Sequence, residues 1–406
     1  MRVLFVSDVY FPRVNGVSTS IRTFRGDLAR VGVESILVAP EYPGGAADHE
    51  PGIIRVPSGG VPKDPEDRRF HGGPLRRSLN RELAARVDLV HIHTPFFAHY
   101  AAVRFARENS LPVVATYHTF FEDYLHHYVP ILPRGIGRWL ARRFTLSQCR
   151  DVAALISPSA PMRDALQAYG VTTPIEVLPT GLPAESFVRG DGARFRKQFG
   201  LPADRPLLLY VGRVAYEKNI DFLLRMFVKL RARRPDALFV IAGEGPALPH
   251  LTKLARELGI EAHVRFIGYL DRARELPDCY AAGDAFVFAS RTETQGLVLL
   301  EAMAQGTPVV STAELGTRSI LTADCGAYVV PEDEEIFAAA TVEALALVPD
   351  SPRRVQLRAH AESWASQAMA GRLQVFYEKV LTNAGCLLRK DVRGPAGTPL
   401  RVERSS

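Results

Sequence analysis

The run Ser290-Arg291-Thr292-Glu293-Thr294-Gln295-Gly296-Leu297-Val298-Leu299-Leu300-Glu301-Ala302-Met303-Ala304 places two carboxylates and a glycine where an apolar strand gives way to an apolar helix. The turn falls at the carboxyl end of that strand, where open α/β sheets bind ligands. Gly296 lets a ligand approach the main chain. The N–H groups of Leu297 and Val298 would then face it, with the positive end of the helix dipole behind them, which suits a diphosphate. Glu301 follows Glu293 by about two helical turns, so the two carboxylates reach different parts of one elongated ligand. Standing alone, the pair would read as a helix-start acid and a solvated helix residue.

Two cations form a second constellation. Leu209-Tyr210-Val211-Gly212-Arg213-Val214 leads to Glu217-Lys218-Asn219, a strand end followed by a helix start. Arg213 and Lys218 can converge on one diphosphate as it departs with negative charge; without context they are surface bases. Near the amino terminus, the loop from Ser7 to Val17 joins the first strand to the first helix, and Gly16 and Val17 sit where backbone could approach a ligand. His118, in Thr116-Tyr117-His118-Thr119, ends another strand, a place where histidines often pack or cap. His91, His93, His126 and His127 look metal-like, but His91 and His93 share a strand face and no carboxylate accompanies them at ligand spacing. No metal site is expected.

A basic stretch follows His118. Arg134, Arg138, Arg142, Arg143 and Arg150 surround Trp139 and Phe144, close to Asp123. A basic helix bearing aromatics can lie on an anionic bilayer; the same pattern also describes a solvated basic face whose apolar side packs in the core.

The elements that position these residues alternate between strand and helix, predicting an α/β fold with parallel sheets covered on both faces. Strands are expected at Arg2–Ser7, Ser35–Ala39, Leu89–Ile92, Pro112–Tyr117, Ala154–Ser157 and Ile175–Leu178. Val17, Ile21, Phe24, Leu28 and Val31 recur at helical spacing between the first two. Prolines and glycines cluster over residues 182–205, which marks an interdomain connection. The alternation restarts with Leu207–Val211, Leu238–Ala242, Val264–Ile267, Ala285–Phe288 and Val309–Ser311. The expected organisation is one domain over 1–185, a second over 200–365, a helix over 366–386 returning to the first domain, and a disordered tail over 387–406.

A chain of 406 residues suits two such domains. Its longest apolar runs are strand-length, too short to cross a bilayer. The chain enters a strand at once, without a signal-peptide layout. Four scattered cysteines without a CxxC pair fit a reducing cytoplasm. The net charge of +6 favours anionic partners such as nucleotide phosphates or an acidic membrane. Without an aromatic-basic RNA motif or zinc-finger spacing, nucleic acid is not expected as a partner.

Taken together, Glu293 and Glu301 followed by Ala-Met-Ala, and Gly212-Arg213 followed by Glu217-Lys218-Asn219, resemble the donor-binding signature of retaining GT-B glycosyltransferases of family 4. The similarity extends over about residues 1–382. It implies two facing Rossmann-like domains with a UDP-sugar or GDP-sugar donor in the cleft, and no cofactor or catalytic metal. In that family the first Glu contacts the transferred sugar and the second holds the ribose, which points to Glu293 and Glu301. Arg213 and Lys218 become the diphosphate clamp, Gly16 and Val17 approach the phosphate from the other side, and His118 lies beside the sugar. Many relatives carry an aromatic residue where Gln295 stands. The runs Tyr-His-Thr with Glu-Asp-Tyr, and Thr-Glu-Thr-Gln-Gly, are similar to bacterial enzymes that glycosylate diacylglycerol; phosphatidylinositol mannosyltransferases share the architecture. The resemblance thus implies hexose transfer to a lipid, giving an α-glycoside, by a protein peripheral on the inner face of the cell membrane. A sugar-nucleotide epimerase would have no reason for the paired Glu motif. A non-catalytic membrane scaffold would not need Arg213, Lys218, Glu293 and Glu301 together.

Overall fold

The computed structural model describes residues 1–13, 15–43, 51–61, 64–118, 134–271 and 274–385, with backbone alone at 64–67 and 134. The expected tail over 387–406 lies outside them. The amino-terminal half contains β1 (Arg2–Val6), β2 (Glu34–Pro40), β3 (Ile53–Val56), β4 (Ser58–Val61), β5 (Asp64–Phe70), β6 (Leu89–Ile92), β7 (Val113–Thr116), β8 (Ala154–Ser157) and β9 (Ile175–Val177). Seven of these form one sheet in the order β3-β2-β1-β6-β7-β8-β9, parallel throughout. β4 and β5 make a separate antiparallel pair.

Side-chain alternation sends each sheet strand's apolar residues into two layers. Leu4, Val6, Ile36 and Val38 face a core shared with Ala98, Ala102 and Phe105 of the helix Phe97–Glu108. Val3, Phe5, Leu37 and Ala39 face the opposite layer, with Ile21, Phe24 and Leu28 of the helix Gly16–Arg30. Leu373, Phe376, Tyr377 and Val380 of the helix Ser366–Asn383 complete that second layer, so the carboxyl-terminal helix packs on the amino-terminal half.

The second half contains β10 (Leu207–Val211), β11 (Leu238–Ala242), β12 (Val264–Gly268), β13 (Ala285–Phe288), β14 (Val309–Ser311) and β15 (Tyr328–Val329). They form a parallel sheet in the order β12-β11-β10-β13-β14-β15 around one core. Within the Pro- and Gly-rich stretch 182–205, the helix Gly192–Gln198 belongs to this half. Phe195 is fully buried in its core, and Arg194 grips Asp278 with two hydrogen bonds of 2.7 and 2.9 Å. A side chain at Gly190 would lie 2.2 Å from the carbonyl oxygen of Pro277, so that packing requires glycine.

Strand order reverses between β1 and β6 in one sheet and between β10 and β13 in the other. Such switch points open a crevice at the carboxyl ends of the strands. The loops leaving those ends meet across the halves. Thr294, after β13, donates to the His118 carbonyl after β7 at 3.0 Å, and Ser159, after β8, donates to the Thr294 carbonyl at 2.7 Å. Arg13 reaches the Tyr269 hydroxyl.

Candidate active site

The carboxyl-terminal wall of the crevice is built from the loops after β10 and β13, which flank the switch point. Gly212 turns the chain out of β10 at φ 153°. A side chain on Gly243, after β11, would sit 1.9 Å from the Gly212 carbonyl oxygen, so the two loops stack main chain on main chain. Arg213 then approaches Glu217 at 3.7 Å. Asn219 takes the left-handed conformation (φ 56°) and donates to the Ala289 carbonyl at 3.2 Å, turning Lys218 toward the loop after β13. There Lys218 Nζ and Glu293 Oε1 lie 2.5 Å apart. Burial opposes the charge on Lys218, but the Glu293 and Glu217 carboxylates outweigh it and hold the ammonium above the usual lysine range.

Gly296 has φ 95° and precedes the helix Leu297–Ala304, as a turn this sharp demands. Leu297 and Val298 form its first turn, where N–H groups have no acceptor within the helix. Glu301 is buried rather than solvated, and its Oε2 accepts from the Tyr280 hydroxyl at 2.9 Å. Gln295 is also buried. Its carboxamide accepts from Thr180 N at 2.9 Å and donates to Thr180 O at 2.6 Å, tying the turn to the opposite half.

The amino-terminal wall has a different chemistry. Gly16, exposed, opens the helix Gly16–Arg30 with Val17 beside it, and Asn15 caps that helix by accepting from Ser18 N at 2.8 Å. Asp8 accepts from Thr94 Oγ1 at 2.7 Å and Ala98 N at 3.0 Å; burial raises its pKa to about 6. His91, His93 and His118 form a stack, with ring centroids 4.0 Å apart for the first pair and 5.4 Å for the second. Both nitrogens of His91 are engaged, by Tyr377 and Thr116 at 2.7 Å each, which makes it a packed residue. His93 Nδ1 lies 3.2 Å from His118 Nε2. Burial pushes all three histidines below their usual range, His118 to about 4, so the stack is uncharged at neutral pH. His126 and His127 lie outside the described residues. Among the described residues no three His, Cys, Asp or Glu side chains are grouped to hold a metal ion.

The structure therefore brings Arg213, Lys218, Glu293, Gly296, Leu297, Val298 and Glu301 to one wall, and Gly16, Val17 and His118 to the facing one. Asp123 lies outside the described residues. Arg138, Trp139, Arg142 and Arg143 lie on the helix Arg134–Arg150, all exposed. Arg143 sits 5.6 Å over the Trp139 ring, and Arg142 donates to the Tyr169 carbonyl at 2.8 Å. Ile136, Trp139 and Leu140 of this helix are exposed, as are Phe96, Phe97 and Tyr100 at the start of the helix Phe97–Glu108. Among the described residues no helix is long and apolar enough to cross a membrane. Sequence reasoning missed Gly243 and the interdomain role of Gln295. The Gly243-Glu244-Gly245 run after an apolar strand was a usable signal for the first; nothing local announces the second.

Two family models match the chain: Glycosyltransferase Family 4 over residues 14–186 and Glycosyl transferases group 1 over residues 191–364. The chain is 33% identical over 359 residues to the alpha-monoglucosyldiacylglycerol synthase of Streptococcus pneumoniae, covering 86% of this chain and 79% of that one. It is 29% identical over 391 residues to the GDP-mannose-dependent alpha-(1-6)-phosphatidylinositol monomannoside mannosyltransferase of Mycolicibacterium smegmatis, covering 91% and 92%. Its fold is similar to that of Anabaena HepE in complex with UDP and glucose, with a TM-score of 0.72, 15% identity, and 93% and 100% of the two chains covered. With two parallel α/β halves meeting at their switch points and these matches spanning both, the chain belongs to the group 1 and family 4 glycosyltransferases of GT-B fold, and it is a hexosyltransferase.

Proposed function

We propose that this enzyme transfers a hexose from a nucleoside-diphosphate sugar to a lipid hydroxyl, with diacylglycerol as acceptor and retention giving an α-glycoside. The observation that carries the proposal is the convergence of Lys218 and Glu293 at 2.5 Å beside a loop that touches His118. In the proposed mechanism Arg213, Lys218 and the Leu297 and Val298 amides hold the diphosphate and stabilise its charge as it leaves. Glu301 holds the ribose and Glu293 the sugar hydroxyls. Gly16 and Val17 approach the phosphate from the facing wall. Neutral His118 exchanges hydrogen bonds with the sugar without adding charge. The acceptor hydroxyl attacks from the face the diphosphate leaves, and a phosphate oxygen takes its proton. The sugar–phosphate bond breaks as the glycosidic bond forms.

The lipid acceptor is supported by the names of both curated relatives, and a nucleotide donor by the UDP bound in the structural relative. The mannosyltransferase similarity over 391 residues favours one second version of the reaction, GDP-mannose as donor and phosphatidylinositol as acceptor. The exposed Arg138, Trp139, Arg142 and Arg143 would seat the protein peripherally on an anionic cytoplasmic membrane face. Incubation with radiolabelled UDP-glucose, UDP-galactose and GDP-mannose, each with dioctanoylglycerol, phosphatidylinositol or a soluble sugar, tests the proposal. The expected result is a labelled glycosyl-diacylglycerol that still forms in EDTA. Label only in soluble products would refute the lipid acceptor. Activity abolished by EDTA and restored by a divalent ion would refute the metal-free reaction.

A further inference from the structure

A pocket opens beside His118 at the carboxyl ends of β6 and β7. Its walls include His93, His99, Tyr117, Thr145 and Gln148, with Phe144, Leu155 and Ile92 supplying apolar surface. The cavity measures about 40 Å3. A water needs roughly 10–15 Å3 on that scale, so the pocket accommodates a small group carrying more than one polar atom. The helix Arg134–Arg150 contributes Thr145 and Gln148, and the helix Phe97–Glu108 contributes His99.

The polar atoms of this pocket are unevenly satisfied. Tyr117 and Thr145 bond each other at 2.8 Å, and His99 lies 3.4 Å from Asp151. Gln148 is only 5% exposed, yet neither its carboxamide oxygen nor its nitrogen has a hydrogen-bond partner. His93 is 1% exposed and uses Nδ1 toward His118, while its Nε2 has no partner. Buried donors and acceptors are rarely left unpaired, because each forfeits its hydration. Three such atoms in one pocket mark a place where a ligand's polar atoms belong.

The charge balance restricts that ligand. Among the described residues no Lys, Arg, Asp or Glu lines the pocket. Burial also keeps His93, His99 and His118 in their neutral range. A phosphate here would be a buried anion without a counter-charge. A hydroxyl both donates and accepts, and a carboxamide offers one atom for each role.

We propose that this pocket is the acceptor's polar-head subsite, in which Gln148 and His93 hold the hydroxylated end of a neutral glycerol-type acceptor next to His118. The assignment rests on the glycosyltransferase reading for its place beside the transferred sugar, and it selects a neutral acceptor over a phosphorylated one. The aliphatic carbons of such an acceptor pack on Phe144 and Leu155.

Saturation-transfer NMR on the full chain tests this with monobutyrin, a soluble monoacylglycerol, and with glycerol 3-phosphate as the charged control. The wild type should saturate monobutyrin and leave glycerol 3-phosphate untouched. Gln148→Met keeps the side-chain bulk and removes the amide. It should weaken monobutyrin binding by about tenfold, the change expected for one lost hydrogen bond, while calorimetric UDP affinity stays unchanged. No wild-type signal from monobutyrin, an undiminished signal in Gln148→Met, or equal binding of glycerol 3-phosphate would overturn the proposal; the second result would leave the pocket to water. Should Gln148→Met lose UDP binding through misfolding, the wild-type contrast between the two probes decides alone. Monobutyrin binding that depends on Gln148, without transfer to dioctanoylglycerol, would sink the lipid-transfer reading and spare the pocket. Transfer without that dependence would do the reverse.

Discussion

The two walls of the crevice use the same scaffold for opposite electrostatics. On the carboxyl-terminal wall, Arg213, Glu217, Lys218 and Glu293 crowd charges of both signs around one switch point. On the amino-terminal wall, His91, His93 and His118 stack as uncharged rings among Thr94, Thr116 and Tyr117. A wall with fixed cations suits a ligand whose negative charge grows during the reaction. The neutral histidine stack suits an acceptor that brings no charge and must not be held by one. On the proposed reading, the donor belongs to the charged half and the acceptor to the other.

The largest effect that would break this comparison is at Glu293. Glu293→Gln should cost roughly 2–4 kcal/mol of transition-state stabilisation, seen as a fall in kcat. Because the substitution also releases Lys218 from its carboxylate, UDP or GDP affinity should hold or rise. Near-normal turnover would remove Glu293 from the chemistry. Next in size, Arg213→Ala and Lys218→Ala should each weaken nucleotide binding by roughly 1.5–3 kcal/mol, the usual range for a hydrogen bond to a charged group. Calorimetry that finds both variants unchanged would leave the charged wall without its assigned ligand.

The neutral wall makes a prediction in pH. His118 titrates near 4 when folded against an ordinary value of 6.5, and burial moves His91 and His93 the same way. Between those values the unfolded chain binds the extra protons, so stability rises with pH through that window and falls on acidification. Each histidine contributes up to about 1.4 kcal/mol per pH unit below 6.5. Asp8 acts in the opposite sense: its folded pKa near 6 exceeds the ordinary 3.8, so it resists acid loss between those values. Three histidines against one carboxylate should leave Tm falling from pH 7 to pH 5, and His118→Phe should flatten the slope. A Tm that is level or rises with acid would mean the stack is not held neutral.

The effect most easily screened away concerns the membrane. Each arginine near an anionic surface contributes about 1 kcal/mol, screened within a Debye length. Replacing Arg138, Arg142 and Arg143 with Ser should reduce binding to anionic vesicles at low salt and slow transfer to lipid in them. Nucleotide affinity should not change. Wild-type indifference to anionic vesicles would shift the acceptor toward a soluble molecule.

The paired-sheet fold was legible because its central strands are short, wholly apolar runs such as Leu207–Val211 and Leu238–Ala242, buried on both faces. β3, β4, β5 and β15 were not legible. Ser58–Val61 carries two glycines and Asp64–Phe70 is mostly charged, so neither shows an apolar alternation. The charged wall could be read from motifs because its residues sit in compact runs at strand ends. Its pairing could not: Lys218 and Glu293 are 75 positions apart, and their contact depends on β10 lying beside β13. Gln295 shows the same limit, since its partner Thr180 is 115 positions away in the other half. Gln148 carried no sequence signal, because an unpaired amide is recognised only once its surroundings are known.

The most direct test of the account is the chemical identity of the product. The enzyme would be given UDP-glucose or GDP-mannose with dioctanoylglycerol, and the lipid product analysed by NMR for its anomeric carbon–proton coupling. The account predicts a single α-linked hexose on the free glycerol hydroxyl, with release of the nucleoside diphosphate. A β-linked product, or nucleotide-sugar breakdown with no lipid glycoside, would contradict it.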